Sequence, residues 1–286
     1  MEKRIHGYAD PKSTELLEVF QDYLKTGEEL GASIVVNMDG ENVVDVWGGF
    51  RTQDKTENWE HDTIFSFFST KKTICALALI ILIDRGILNI SDKCYKARKT
   101  RTMMEARISI WLSCVDLRVS RRPIVRKTTG KTLKDLVANE IAGALGVDFE
   151  IGASAKNCHR ISPLVFPASK ASLAQTDTSS ISAKTFVNPP LDPSVVDSPD
   201  WREAEFGSGN GYGNVLSIAT ILSCISLGGE ANGVRLLLNE TIDLIFQEQS
   251  KEIDLVTGQN LRFGIGFGLS GNDTELKWLP EGRVCM

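Results

Sequence analysis

The sequence predicts a mixed α/β chain with antiparallel strands, and three observations carry that prediction. Two β-rich runs, Ala32-Ser-Ile-Val-Val-Asn and Val43-Val-Asp-Val-Trp-Gly-Gly, flank Asp39-Gly40, a dipeptide that suits the two-residue turn of a hairpin. Apolar residues recur at helical spacing in two long stretches, one before the hairpin and one after it. Near the end, Leu261-Arg-Phe-Gly-Ile-Gly-Phe-Gly-Leu alternates as a strand does, with glycine on one face.

The elements follow in order. Pro11 opens a first helix and Gly27 closes it, with Leu16, Leu17, Phe20, Tyr23 and Leu24 on its apolar face. The hairpin comes next, then a polar loop over 51–62. Ile64-Phe-Ser-Phe-Phe-Ser-Thr-Lys-Lys-Thr is a short apolar run leading straight into an amphipathic helix that starts at Ser69 and ends at Asp84-Arg-Gly86. Residues 93–127 hold eleven Lys or Arg against two acids and read as a divergent insertion. After Thr128-Thr-Gly-Lys-Thr, a turn with a helix N-cap, Leu133, Leu136, Val137 and Ile141 mark another amphipathic helix. Residues 153–200, rich in Ser, Ala, Thr and Pro, form a long surface excursion. Gly207–Asn214 is a glycine-rich turn before a helix over Val215–Leu227, and a further helix covers Asn239–Gln249.

Composition excludes several classes. The 286 residues are 42% hydrophobic and 24% charged with a net charge of −5, values of a soluble globular chain large enough for a real core. No run is long and apolar enough to span a bilayer, and the N-terminus lacks the apolar stretch of a secretion signal. The expectation is a cytoplasmic protein with no membrane and no nucleic-acid partner, because the basic block of 93–127 lacks an aromatic platform or a recognised motif. The six cysteines show no Cys-x-x-Cys spacing and read as reduced thiols. The three histidines have no metal-ligand spacing. Gly130-Lys131-Thr132 is no phosphate loop, since Val125 stands where that motif needs glycine.

The candidate chemistry lies at Ser69 and Lys72. One helical turn separates them, so both side chains share a face and the hydroxyl can meet the amine. A serine is a weak nucleophile without a base. A lysine titrates at about 10.4 and must be brought down to act near neutrality. The positive helix N-terminus, the neighbouring cation of Lys71 and desolvation by Phe65, Phe67 and Phe68 all press in that direction. Lys71 points elsewhere and is the weaker candidate. The bare Ser-x-x-Lys pattern equally fits an N-cap serine beside a solvated lysine.

Taken together, the pieces resemble the serine β-lactamase-related superfamily. They are most similar to carboxylesterases with the class C β-lactamase fold and to fungal transesterases of the lovastatin acyltransferase kind. The resemblance rests on Gly31-Ala-Ser-Ile-Val-Val, Asp39-Gly-Glu, Val46-Trp-Gly-Gly, Phe65 to Lys72 and Leu82-Ile-Asp-Arg-Gly-Ile-Leu. It continues through Thr129-Gly-Lys-Thr-Leu, Ile141-Ala-Gly-Ala-Leu-Gly-Val, Leu227-Gly-Gly-Glu-Ala-Asn-Gly-Val and Phe263-Gly-Ile-Gly-Phe-Gly-Leu-Ser.

What the resemblance implies is a single β-lactamase/transpeptidase-like domain over 1–286. An antiparallel sheet flanked by helices (1–92 with 205–286) would meet a divergent helical and loop lobe (93–204), with the site in the cleft between. Ser69 would attack the carbonyl of a small-molecule acyl substrate, Lys72 would shuttle the proton, and the acyl-enzyme would pass to water or another acceptor without metal or organic cofactor. The oxyanion would sit on the Ser69 backbone N–H and one from the last sheet strand.

Two departures qualify this. The family carries a catalytic tyrosine in a second motif, and none of Tyr8, Tyr23, Tyr95 and Tyr212 lies in a matching one. The family also continues into further strands where this sequence stops, so the resemblance implies a sheet incomplete at the C-terminus. The expected function is therefore serine-hydrolase-type acyl transfer, impaired by both departures. The alternatives are an acyltransferase of fungal secondary metabolism and a catalytically inactive relative. Acyl donor, acceptor and oligomeric state have no signature in the sequence.

Overall fold

A computed structural model describes residues 5–91, 93–96, 104–107, 122–165, 180, 195–196, 198–205, 209–280 and 284–285. Of the regions singled out in the sequence, most of the basic block (97–103, 108–121), most of the excursion (166–179, 181–194, 197) and the first residues of the glycine-rich stretch (206–208) lie outside these.

The chain opens with strand β1 (Ile5–Ala9), a 3₁₀ turn over Pro11–Ser13 and helix α1 (Thr14–Thr26). Asp10 accepts from the Lys12 N–H at 2.8 Å and starts the turn. Gly27 ends the helix in the left-handed region, at φ 83°. Strands β2 (Gly31–Met38) and β3 (Glu41–Gly49) form the predicted hairpin. Both turn residues have positive φ, 52° at Asp39 and 91° at Gly40, as a two-residue turn between right-twisted strands requires. The sheet order is β1-β3-β2, antiparallel throughout. Phe20 and Leu24 of α1 bury against Val44 and Val46 of β3.

Strand β4 is only Phe65–Ser66, and helix α2 runs Lys71–Asp84. The helix was expected to be amphipathic, but every residue from Ile74 to Leu82 is buried. A helix apolar on all sides belongs in the core. Each buried aliphatic side chain contributes about 1.5–3 kcal/mol, so packing fixes α2 far more strongly than its N-terminus, which has no side-chain cap. Strands β5 (Lys93–Lys96) and β6 (Met104–Arg107) pair antiparallel inside the basic block. The end of that block is helix α3 (Arg122–Thr129), which buries Val125 in the main core.

Helix α4 (Leu133–Val137) begins at Thr132, whose hydroxyl accepts from the Asp135 N–H while the Asp135 carboxylate accepts from the Thr132 N–H. It runs on through a π-helical segment, Ala138–Ala142, to a last turn at Gly143–Leu145. Strand β7 (Phe149–Ile151), a 3₁₀ helix at Ala155–Arg160 and helix α5 (Pro199–Glu203) follow.

The glycine-rich stretch departs from expectation. Gly211–Gly213 is strand β8, the middle strand of an antiparallel sheet β4-β8-β7. Helix α6 (Val215–Ser226) then starts on the Asn214 cap. After the short pair β9 (Glu230–Ala231) and β10 (Val234–Arg235), helix α7 spans Asn239–Ile245, shorter than the sequence suggested. The alternating segment near the end is two short strands rather than one. Strand β12 (Asn260–Phe263) turns through Gly264–Phe267 into β13 (Gly268–Leu269), closed by the Gly264 N–H to the Phe267 carbonyl at 2.9 Å. With β11 (Ser250–Ile253) and β14 (Val284–Cys285) they form a sheet ordered β11-β12-β13-β14. One core gathers α2, α4, β7, α6 and α7 with Ile265 and Phe267. No helix among the described residues is long and apolar enough to cross a membrane.

Candidate active site at the head of helix α2

Ser69 lies in the turn between β4 and α2, exposed. Its hydroxyl accepts from Lys72 Nζ at 3.0 Å. The two residues three apart in the sequence therefore meet in space, on a turn tighter than an α-helical one. The turn is closed by bonds of the i to i−3 type, from the Lys72 N–H to the Ser69 carbonyl at 2.9 Å and from the Thr73 N–H to the Thr70 carbonyl at 3.1 Å. In such a 3₁₀ turn residues three apart eclipse each other, which sets the Lys72 amine directly over the Ser69 hydroxyl. Lys72 is half-buried and the pair faces outward.

The aromatic residues around the turn pack against one another. Phe65 and Phe67 have ring centroids 4.3 Å apart, Trp59 lies 5.7 Å from Phe65, and Phe68 lies 6.4 Å from Trp201 of α5.

Sequence reasoning missed Lys71. This side chain has no exposed surface, and its Nζ donates to Asn210 Oδ1 at 3.0 Å. Asn210, also fully buried, donates in turn from Nδ2 to the Trp201 carbonyl at 2.8 Å and to the Ala204 carbonyl. A signal was available: the helix that follows Lys71 is apolar on every side, so a lysine at its first position has little chance of reaching water. Asn210 itself had no signature within the glycine-rich run.

The tyrosines take up different places. Tyr8 and Tyr23 are exposed on β1 and α1, and the side chain of Tyr95 lies outside the described residues. Tyr212 is fully buried on β8, opposite Ser66 in register, and packs with Ile64, Ala153 and Ile161. Among the described residues no group of three or more His, Cys, Asp or Glu is placed to hold a metal ion. A half-buried acid caps the start of α4: Glu205 Oε1 accepts from the Leu133 and Lys134 N–H groups at 2.9 and 3.2 Å. Arg160 joins the 3₁₀ helix to β7 by two bonds to the Asp148 carboxylate, and that pairing pushes the guanidinium above its ordinary value.

Antiparallel sheets, a buried central helix and a serine with its lysine at the head of that helix define a β-lactamase/transpeptidase-like fold. Residues 16–102 match the family model described as Beta-lactamase. Over 87 residues the chain is 30% identical to "Esterase/beta-lactamase LipL" of Mycobacterium tuberculosis (strain ATCC 25618 / H37Rv), a match covering 30% of this chain and 20% of that protein's length. A family VIII carboxylesterase superposes with a TM-score of 0.78 at 24% identity, over 94% of this chain and 84% of the other. Simvastatin synthase (LovD) from Aspergillus terreus superposes with a TM-score of 0.62 at 15% identity, over 96% and 86%. Over residues 16–102 the chain is similar to the Beta-lactamase family, and its fold is that of the β-lactamase-related carboxylesterases and acyltransferases.

Proposed function

We propose that the chain is a serine hydrolase acting by acyl transfer on a small ester or related acyl compound. The observation that carries this reading is the 3.0 Å contact between Lys72 Nζ and Ser69 Oγ at the exposed head of α2. The amine that donates there as an ammonium accepts the hydroxyl proton once it is neutral. The Ser69 oxygen then bonds to the carbonyl carbon, and the carbonyl electron pair moves onto its oxygen. On this reading the Ser69 backbone N–H donates to that oxygen, the role that the resemblance implies for it. Collapse expels the alkoxide, which takes the proton from Lys72, and leaves an acyl-Ser69 ester. Water, deprotonated by the same amine, releases the acid.

A second reading is transfer of the acyl group to an alcohol in fungal secondary metabolism, supported by the fold shared with simvastatin synthase. The acyl-enzyme is the same and only the acceptor differs.

The test is covalent labelling of the folded protein with a fluorophosphonate, together with turnover of a chromogenic short-chain ester. Labelling should map to Ser69 and both signals should vanish in Ser69→Ala. A folded wild-type chain that takes no label at Ser69 would remove the proposal. Product analysis with a thioester donor and an alcohol separates the two readings, since only transfer yields a new ester.

A further inference from the structure

Lys71 sits between the two residues of the proposed site in sequence but not in space. We infer that it is the positioning residue of the nucleophile turn, acting through Asn210 to hold Ser69 and Lys72 in register. The inference rests on the Ser69–Lys72 reading above.

Three consecutive residues grip the turn from one side. The Gly209 carbonyl accepts from Ser66 Oγ at 3.2 Å. Asn210 Oδ1 accepts from Lys71 Nζ at 3.0 Å. The Gly211 carbonyl accepts from the Phe67 N–H at 2.8 Å. Ser66 and Phe67 lie before the nucleophile and Lys71 lies after it, so the grip spans Ser69 without touching it. The Lys71 N–H also returns to the Phe67 carbonyl at 3.2 Å, which ties the two gripped ends together.

Burial alone does not call for an amine here. A methionine of similar length would fill the same space without the cost of desolvating a polar group. What the amine adds is direction, because a hydrogen bond fixes the angle of approach as well as the distance. The acceptor is itself immobilised. Asn210 Nδ2 is bound to the Trp201 and Ala204 carbonyls of α5 and its C-terminal end, and Trp201 packs toward Phe68, the residue preceding Ser69. The Lys71 stem lies against Gly211, where an added Cβ would meet Lys71 Cβ at 3.0 Å. A misplacement of about 1 Å in a catalytic pair costs on the order of 10²-fold in rate, so loss of the grip should be read in the chemical step.

The experiment compares Lys71→Met, Asn210→Leu and the Lys71→Met/Asn210→Leu double variant with wild type. The rate of Ser69 labelling by the fluorophosphonate should fall on the order of 10²-fold in Lys71→Met and in Asn210→Leu. The double variant should be no slower than either single one, as two members of one bond require. Ester KM should change less than kcat. Amide exchange at residues 67–72 should quicken in Lys71→Met while that of α6 stays unchanged, which a general loss of stability would not produce. If Lys71→Met does not fold, Asn210→Leu, which removes the acceptor, reads the same bond through the labelling rate and the exchange at residues 67–72. Wild-type labelling rate and exchange in folded Lys71→Met or in folded Asn210→Leu would overturn the positioning role alone. A wild-type chain that stays unlabelled overturns the proposed function and this role with it.

Discussion

Lys71 and Lys72 are adjacent in the chain, yet their amines serve different partners: Lys71 Nζ is sealed against Asn210, and Lys72 Nζ lies 3.0 Å from the Ser69 hydroxyl. On the proposed reading it is Lys72 that exchanges protons with a substrate bound over Ser69. Replacing it with methionine keeps the length and removes the base. With a chromogenic short-chain ester, kcat should fall about 10²–10⁴-fold, the usual contribution of a positioned general base, with a smaller change in KM. Lys72→Arg should not rescue the rate, because a guanidinium does not give up its proton in this range. A Lys72→Met variant with wild-type kcat would assign the base elsewhere.

Gly211 should not tolerate a methyl group. An alanine Cβ there would stand 2.9 Å from Phe149 Cζ and 3.0 and 3.1 Å from Lys71 Cβ and Cγ. Both neighbours are buried and have no room to withdraw. Gly211→Ala should lose about 1–3 kcal/mol, the cost of overpacking a filled core, measured by urea unfolding at constant slope. Ser69 labelling should slow as well, since the displaced Lys71 stem leads to the grip on the turn. An unchanged unfolding midpoint would mean that β8 shifts freely.

How far the sequence could be read depended on the range of the forces involved. The Asp39-Gly40 hairpin and the Gly27 and Gly86 helix ends were legible because a positive φ is a local demand that few residues meet. The Ser69–Lys72 pair was legible for the same reason, since one helical turn fixes it. Lys71 was not, because its burial comes from elements distant in sequence packing around α2 on every side. Gly211–Gly213 read as a turn because glycine signals flexibility, whereas here it answers a lack of space beside Phe149 and Lys71. The segment 261–269 alternated convincingly over a stretch in which Gly266, at φ 83°, reverses the chain.

The thiols offer a check on the core. Burial pushes Cys224 on α6 up to about 12, from an ordinary 9.0. At a given pH near 8 the thiolate fraction, and with it reactivity toward a disulfide reagent or maleimide, should be about 10³-fold below that of an ordinary thiol. Peptide mapping after brief treatment of native protein should find Cys224 unmodified, and the same treatment in denaturant should modify it fully. Modification of Cys224 in the native protein at the rate of an exposed thiol would contradict the packing of α6.

Arg85, at the C-terminal cap of α2, donates from Nη1 to Glu140 Oε2 at 2.7 Å, and Lys131 Nζ lies 3.4 Å from Glu140 Oε1. The hydrogen bond from Arg85, aided by charge, holds the Glu140 carboxyl below its ordinary 4.5 despite some burial. A carboxyl whose folded value is lowered stabilises the fold fully above its unfolded value and loses that contribution as pH falls through the folded one. The pairs are partly exposed, so the contribution is small, about 0.2–1 kcal/mol. Glu140→Gln should therefore be less stable than wild type by that amount at pH 7, and the difference should shrink steadily as pH drops below 4.5. Urea midpoints of the two proteins across pH 3–7 (approximately the carboxylate range and above) measure it. A gap that stays constant into acid would mean that the amide loses packing rather than charge, and that the tie from the end of α2 to the π-helical segment is not electrostatic.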